Sequence, residues 1–333
     1  MNSRLKSVLQ YLLLIVLTVG LLWLSLRGLQ VADGENKTDF LWKAWKKSNK
    51  VYLLLMAVTV MISHVLRAER WRMLLKPTGN QISLSGSFLS LMIGYLVNLA
   101  VPRGGELSRC YNLYKLEKTP VEVSFGTVVV ERIIDVICLI TLIAMSFFVE
   151  WVKLKAFIDS LELPSRSGSS ISPWAILIPV GLAGFVLMIF LLRKNEKFRK
   201  VLSGFKEGLL AVFQLKNKGL FIFYSIAIWA LYFFMSYLVL KAFTETQELG
   251  VSAVLTLFAI GSIAMAVPLP GGAGSYHTLV PMGLVALYNL QQADAIAFVF
   301  IFHGWQTLIT ILGGVLSLII SYWIIRWKRA HEN

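Results

Sequence analysis

Two uninterrupted apolar stretches, Val8 to Leu26 and Leu220 to Leu240, constrain this chain more than any other feature. Each is long enough to cross the hydrocarbon core of a bilayer as a helix, which takes about 20 residues. Core helices of soluble proteins are seldom apolar over more than about a dozen positions. Composition agrees: of 333 residues, 57% are hydrophobic and 15% charged, and the mean hydropathy is +0.70, outside the range of ordinary soluble domains. An all-α, polytopic membrane protein follows, a single membrane domain over 1–333 with no soluble catalytic domain.

The net charge of +14 does not point to nucleic acid, because Lys and Arg gather at the ends of the apolar stretches rather than along one groove-like patch. Val8 to Leu26 follows Arg4 and Lys6 as a signal peptide would, yet it is long and lacks a small-residue cleavage site, so it reads as a retained first helix. Cys110 and Cys138, the two cysteines, fall in or beside apolar sequence and read as packing residues, not as a disulfide or thiolate metal site. No metal or cofactor is expected. Neither a serine-hydrolase elbow, nor paired zinc-ligand histidines, nor a P-loop lysine occurs.

The full spans are expected at Val8 to Leu26, Val51 to Leu66, Val121 to Phe148, Ile171 to Leu192, Leu220 to Leu240 and Ala295 to Ile325. Three basic groups adjoin them: Arg67, Arg70, Arg72 and Lys76; the run from Arg193 to Lys218; and Arg326, Lys328 and Arg329. The positive-inside rule puts all three in the cytoplasm, with both termini, in a cytoplasmic membrane. Within the second group, Phe198 to Phe213 sets Val201, Leu202, Phe205 and Leu209 at helical spacing among lysines, a helix expected on the inner surface. Phe40 to Lys50, carrying Trp42 and Trp45, looks interfacial and falls outside.

Two further apolar pairs, Leu84 to Val101 with Leu107 to Leu116 and Val251 to Val267 with Tyr276 to Leu290, are each broken by Pro and Gly. They are expected as re-entrant hairpins within units 82–148 and 251–325, opening to opposite sides. Their breaks resemble each other: Ile93-Gly94 followed by Ala100-Val101-Pro102-Arg103-Gly104-Gly105, against Ile260-Gly261 followed by Ala266-Val267-Pro268-Leu269-Pro270-Gly271-Gly272. Corresponding interrupted segments in two halves mark inverted-repeat transporters with a site at the repeat interface; the alternative is chance recurrence of short motifs.

At the first break, Pro102 ends one helix, Gly104 and Gly105 let the backbone turn, and a helix restarts near Glu106. With Arg103 and Arg109 beside its free N–H groups, that restart is a candidate phosphate site; the alternative pairs Arg103 with Glu106 as structural glue. Glu131, Arg132 and Asp135 lie inside an apolar helix, the two carboxylates four residues apart on one face. They can bind a cationic group, relay protons, or pair with Arg103 and Arg109, and pairing is the favoured resting state because an unpaired charge at membrane depth is costly. In the second half, Pro268, Pro270, Gly271, Gly272, Gly274 and Ser275 form a break that leaves amides facing a cavity, with His277, His303 and Gln306 nearby. Proton coupling through the histidines competes with plain packing. His64 reads only as packing.

These residues resemble the lysylphosphatidylglycerol synthase transmembrane-region family of flippase-like proteins over nearly the whole chain. The marks are NLAVPRGGELSR from Asn98 to Arg109, Glu131-Arg132-Ile133-Ile134-Asp135, and PGGAG from Pro270 to Gly274. The resemblance implies movement of aminoacylated phospholipids or polyprenyl-linked lipids between leaflets, with Asn98, Pro102, Arg103, Gly105, Glu106, Arg109, Glu131, Arg132 and Asp135 on the first motif block. Two departures stand out: His277 where members often carry a glutamate, and a chain that stops soon after Arg329 where the synthases carry a catalytic domain. The expected function is therefore translocation of an anionic phospholipid or polyprenyl-phosphate-linked lipid, without enzymatic activity. Its rivals are an intramembrane lipid-modifying transferase using Glu131 or Asp135 as base, and a non-catalytic assembly factor working with enzymes of a glycolipid pathway. The expected partners are the bilayer and a lipid with an anionic headgroup, not nucleic acid.

Overall fold

The computed structural model describes residues 36–160, 195–266 and 274–331. The expected spans Val8 to Leu26 and Ile171 to Leu192, and Pro268, Pro270, Gly271 and Gly272 of the second break, lie outside these residues. Among the described residues there are eleven α-helices and two short 3₁₀ turns, with no strand: α1 Lys37–Lys47, α2 Lys50–Leu75, α3 Leu84–Ala100, α4 Gly104–Glu117, α5 Val121–Val149, α6 Trp151–Ser160, α7 Glu196–Leu210, α8 Lys218–Lys241, α9 Val251–Ala266, α10 Ser275–Tyr288 and α11 Gln292–His331.

Local chemistry accounts for many of the boundaries. The Asn49, Ser83 and Asn217 side chains accept the N–H of Val51, Gly86 and Leu220 at 3.0, 2.9 and 3.0 Å, capping α2, α3 and α8. Pro120 precedes α5, and α4 and α10 stop at Lys118 and Asn289, both left-handed.

Helices α2, α8 and α11 are long and apolar enough to cross a membrane, and α5 with α6 makes a fourth if that pair, bent by 102° at the break, is one span. The expected ends of α2, α8 and α11 move outward, while α5 starts at Val121 as expected and ends one residue later. Most consequentially, the stretch expected to end at Leu66 runs on as helix to Leu75. Outward-facing Ile137, Ile140, Leu316 and Trp323 are more than half exposed, an apolar surface suited to lipid and not to water.

The two broken pairs fold as antiparallel hairpins. Along α3 and α4, the Ser83 hydroxyl donates to Glu117 Oε1 at 2.6 Å, the Asn112 amide donates to Ser90 Oγ at 3.0 Å, and the Asn98 carbonyl oxygen accepts the Gly105 N–H at 2.7 Å. At 17 and 14 residues, both arms fall short of the roughly 20 needed for a comfortable crossing. Between α9 and α10, the Ser275 hydroxyl donates to the Ala264 carbonyl at 2.7 Å. Gly94 and Gly261, which correspond in the two motifs, both sit where the opposite arm passes closest: a Cβ on Gly94 would meet Gly105 O at 2.9 Å, and one on Gly261 the Tyr276 ring at 2.9 Å.

The largest apolar core, including Leu53, Met56, Val254, Leu284, Phe298 and Val299, joins α2, α9, α10 and α11. A second, built on Trp71, Cys110, Leu113 and Val128, joins α2, α4 and α5. Helix α7 lies on α5 at paired glycines, since a Cβ on Gly126 would strike the Phe205 carbonyl and one on Gly208 the Val123 carbonyl. Its outer face exposes Val201 and Leu202. Trp45 of α1 rests on Trp305 of α11, ring centroids 5.5 Å apart.

Candidate functional site

Four helices meet at a buried ion cluster. Arg67 and Arg70, three residues apart, share one face of α2, and Glu131 and Asp135, four apart, share the face of α5 turned toward it. Arg67 Nη2 donates to Glu131 Oε1 at 2.8 Å and to Asp135 Oδ2 at 2.7 Å. Arg70 Nη2 donates to Asp135 Oδ1 at 2.6 Å and to Glu131 Oε1 at 3.4 Å. From α4, Arg109 Nη2 donates to Glu131 Oε2 at 3.0 Å, and its guanidinium lies 4.7 Å from the centre of the Trp71 ring. Helix α8 completes the shell, with Tyr232 Oη accepting from Arg67 at 3.0 Å and Ser225 Oγ from Arg70 at 3.3 Å.

The expected pairing of the intramembrane carboxylates is thus present, with largely different partners. Arg109 takes part as expected; Arg103 does not, being exposed at the turn with a left-handed backbone, φ 61°. Its place is taken by Arg67 and Arg70, expected in a cytoplasmic cluster and instead 4% and 0% exposed. The sequence held a signal for this: the apolar pattern continues between and beyond them at Ala68, Trp71, Leu74 and Leu75, so the arginines interrupt the helix and do not end it. Arg132, half-exposed, faces Glu106 at 3.6 Å and Asp135 at 3.8 Å. Asn98 holds the Gly105 amide, so one donor of the α4 restart is already engaged, and Gly104 lies against Val97 and Val101.

Charge in the cluster does not cancel. Three guanidiniums, on Arg67, Arg70 and Arg109, face two carboxylates, while Arg132 and Glu106 offset each other alongside. Nε of Arg67 and Arg70, and Nε and Nη1 of Arg109, are buried without a hydrogen-bond partner among the described residues. Among the described residues, one positive charge and several donors are left over.

Arg67 also reaches a cavity of about 540 Å³. His64 and Tyr95 from α2 and α3, and Trp229 and Tyr232 from α8, form part of its wall. Tyr276 from α10 and His303, Gln306, Thr307 and Thr310 from α11 form another. Most of the remaining lining is apolar, and Arg67 is the one charged side chain among the described residues that line it. His303 and Gln306 thus line the same cavity as Arg67 of the charged cluster. His277 sits beside His303, ring centroids 4.8 Å apart, and its Nδ1 lies 3.5 Å from the Gly274 N–H that opens α10. Gly274 takes φ 97°, a conformation that suits glycine. Tyr95, Trp229 and Tyr232 were not singled out in the sequence, since aromatic residues in apolar helices are ordinarily core.

A helical chain with membrane-length spans, apolar outer faces and an internal ion cluster is an integral membrane protein. It belongs to the family described as the lysylphosphatidylglycerol synthase TM region, whose model matches residues 9–314. Among curated proteins, the UPF0104 membrane protein MJ1595 of Methanocaldococcus jannaschii is 26% identical over 313 residues, 85% of this chain and 89% of that protein. Another from that organism, UPF0104 membrane protein MJ1078, is 27% identical over 60% of this chain and 81% of its own length. The glycosyltransferase AglD of Haloferax volcanii is 24% identical over 79% of this chain, which spans 48% of that protein. No solved structure matches.

Proposed function

We propose that this protein is a lipid translocator of the cytoplasmic membrane, both termini cytoplasmic, that receives an anionic headgroup in the cavity at Arg67 while the acyl or prenyl chains stay in the bilayer. One observation carries the reading: among the described residues, a largely apolar cavity between two broken-helix units is lined by a single charged group, and that group belongs to a buried cluster with positive charge in excess. An amphiphile with one anionic end satisfies both features, since a buried uncompensated cation is costly and an oxyanion relieves it.

The matched glycines Gly94 and Gly261 and the two antiparallel hairpins support an inverted repeat, whose halves rock about the cavity to expose it to either side. In this scheme Arg67 binds the headgroup; Glu131 and Asp135 hold Arg67, Arg70 and Arg109 in register; His303 and Gln306 supply polar contacts from the second half. Asn98, Gly104, Gly105 and Glu106 shape the hinge of the first hairpin, and Gly274 and His277 that of the second.

A transferase is the second reading, motivated by the likeness to a protein named as a glycosyltransferase. Against it, every carboxylate oxygen of Glu131 and Asp135 accepts from at least one guanidinium, which leaves neither placed as a general base. Reconstitution with labelled anionic lipids separates the two. Faster leaflet exchange at constant lipid mass, lost in Arg67→Gln, is the expected result; a product of altered mass would establish the transferase.

A further inference from the structure

Resting on the translocator reading, we infer that the ligand of the cavity is a lipid phosphodiester of single negative charge with a hydroxyl-bearing, uncharged headgroup, such as a phosphoglycerol or phosphosugar lipid, and not an aminoacylated or phosphomonoester lipid. Charge comes first. Among the described residues the cluster has three buried guanidiniums against two buried carboxylates, so one negative charge completes it. A phosphodiester has one; a phosphomonoester approaches two near neutral pH and would leave an uncompensated negative charge in a medium where charge is costly. An aminoacyl headgroup adds an ammonium, and no carboxylate is found among the described residues lining the cavity to receive it; the only charge there, Arg67, would repel it.

Polarity comes second. The α11 wall presents His303, Gln306, Thr307 and Thr310 at successive helical spacings, uncharged groups that both donate and accept. Ser262 of α9 lies on the same cavity. Such a wall matches vicinal hydroxyls, which can exchange hydrogen bonds with the side chains of Gln306 and Thr307, whereas a headgroup without hydroxyls cannot. The aromatic rings of Trp229, Phe258 and Tyr276 suit the apolar faces of a polyol or sugar ring.

The test uses the full chain purified in detergent, with dioctanoyl lipids in calorimetric binding and long-chain versions in proteoliposome exchange. Dioctanoyl phosphatidylglycerol should bind about tenfold or more tightly than phosphatidylmethanol, phosphatidic acid or lysyl-phosphatidylglycerol. In Gln306→Leu, which keeps the charge cluster intact, the advantage over phosphatidylmethanol should shrink to roughly twofold while the discrimination against lysyl-phosphatidylglycerol persists. Equal or tighter binding of the aminoacylated or monoester lipid overturns the inference, as does an absence of binding by any of them or an undiminished glycerol preference in Gln306→Leu. Selective binding without leaflet exchange would uphold the ligand class and remove the translocator reading; exchange without selectivity would do the reverse.

Discussion

Arg67 donates to Glu131 at 2.8 Å with both side chains almost wholly removed from solvent, yet Arg67 also lies on the wall of the cavity. The same guanidinium therefore serves a structural ion cluster and the space where a headgroup would sit. On the proposed reading stability and ligand recognition are linked through it, so substitutions around the cluster should separate by how much buried charge each leaves unbalanced.

Glu131→Gln leaves three guanidiniums facing Asp135 alone. Removing one member of a buried ionic network costs about 3 kcal/mol or more, so the thermal midpoint of the detergent-solubilised protein should fall sharply. Glu106→Gln touches only the half-exposed Arg132 at 3.6 Å and should cost no more than about 1 kcal/mol. Comparable drops in the two variants would contradict the described cluster.

The first hairpin depends on Gly105, where a Cβ would collide with the Gly94 carbonyl and crowd the Asn98 amide. Gly105→Ala should spread the arms, cost about 1–3 kcal/mol and abolish lipid exchange. Cysteine pairs placed at 83 and 117 should crosslink less efficiently in this background than in the parent; unchanged crosslinking would mean that the arms tolerate the methyl group.

Contact between α7 and α5 is backbone against backbone at Gly208. Gly208→Ala should lift α7 and increase its proteolysis in proteoliposomes. By contrast Gly219, where the nearest atom to an added Cβ is Asn217 Oδ1 at 3.9 Å, should accept Ala with a gain of up to about 1 kcal/mol. Equal protease sensitivity in the two variants would argue against the docking described.

Arg103 occupies a left-handed backbone, a conformation that costs a non-glycine residue about 1–2 kcal/mol. Arg103→Gly should therefore match or slightly exceed the parent in stability and keep lipid exchange, while Arg67→Gln loses exchange. Loss of exchange in Arg103→Gly with stability unchanged would return the headgroup site to the hairpin turn.

Much of this architecture could be read directly. The apolar stretches marked α2, α5, α8 and α11 because length in hydrocarbon is a local property of the chain. Pro102 with Gly104 and Gly105 marked the hairpin because they act on their own backbone. Glu131 and Asp135 stood out as groups that must have partners.

Which partners they have was not local. Arg67 and Arg70 resemble a cytoplasmic flank, and the apolar residues that resume after them show only that the helix continues; which carboxylates the arginines meet is decided by the packing of α2 against α5 and α8. Arg103 and Arg109, six residues apart, looked equivalent as phosphate ligands, but the turn directs one to solvent and the other onto Trp71 and Glu131. The cavity likewise belongs to no segment, since its walls come from helices as distant in the chain as α2 and α11. Apolar length and backbone breaks are written residue by residue; charge pairing and enclosed volume exist only once separate helices have been brought together.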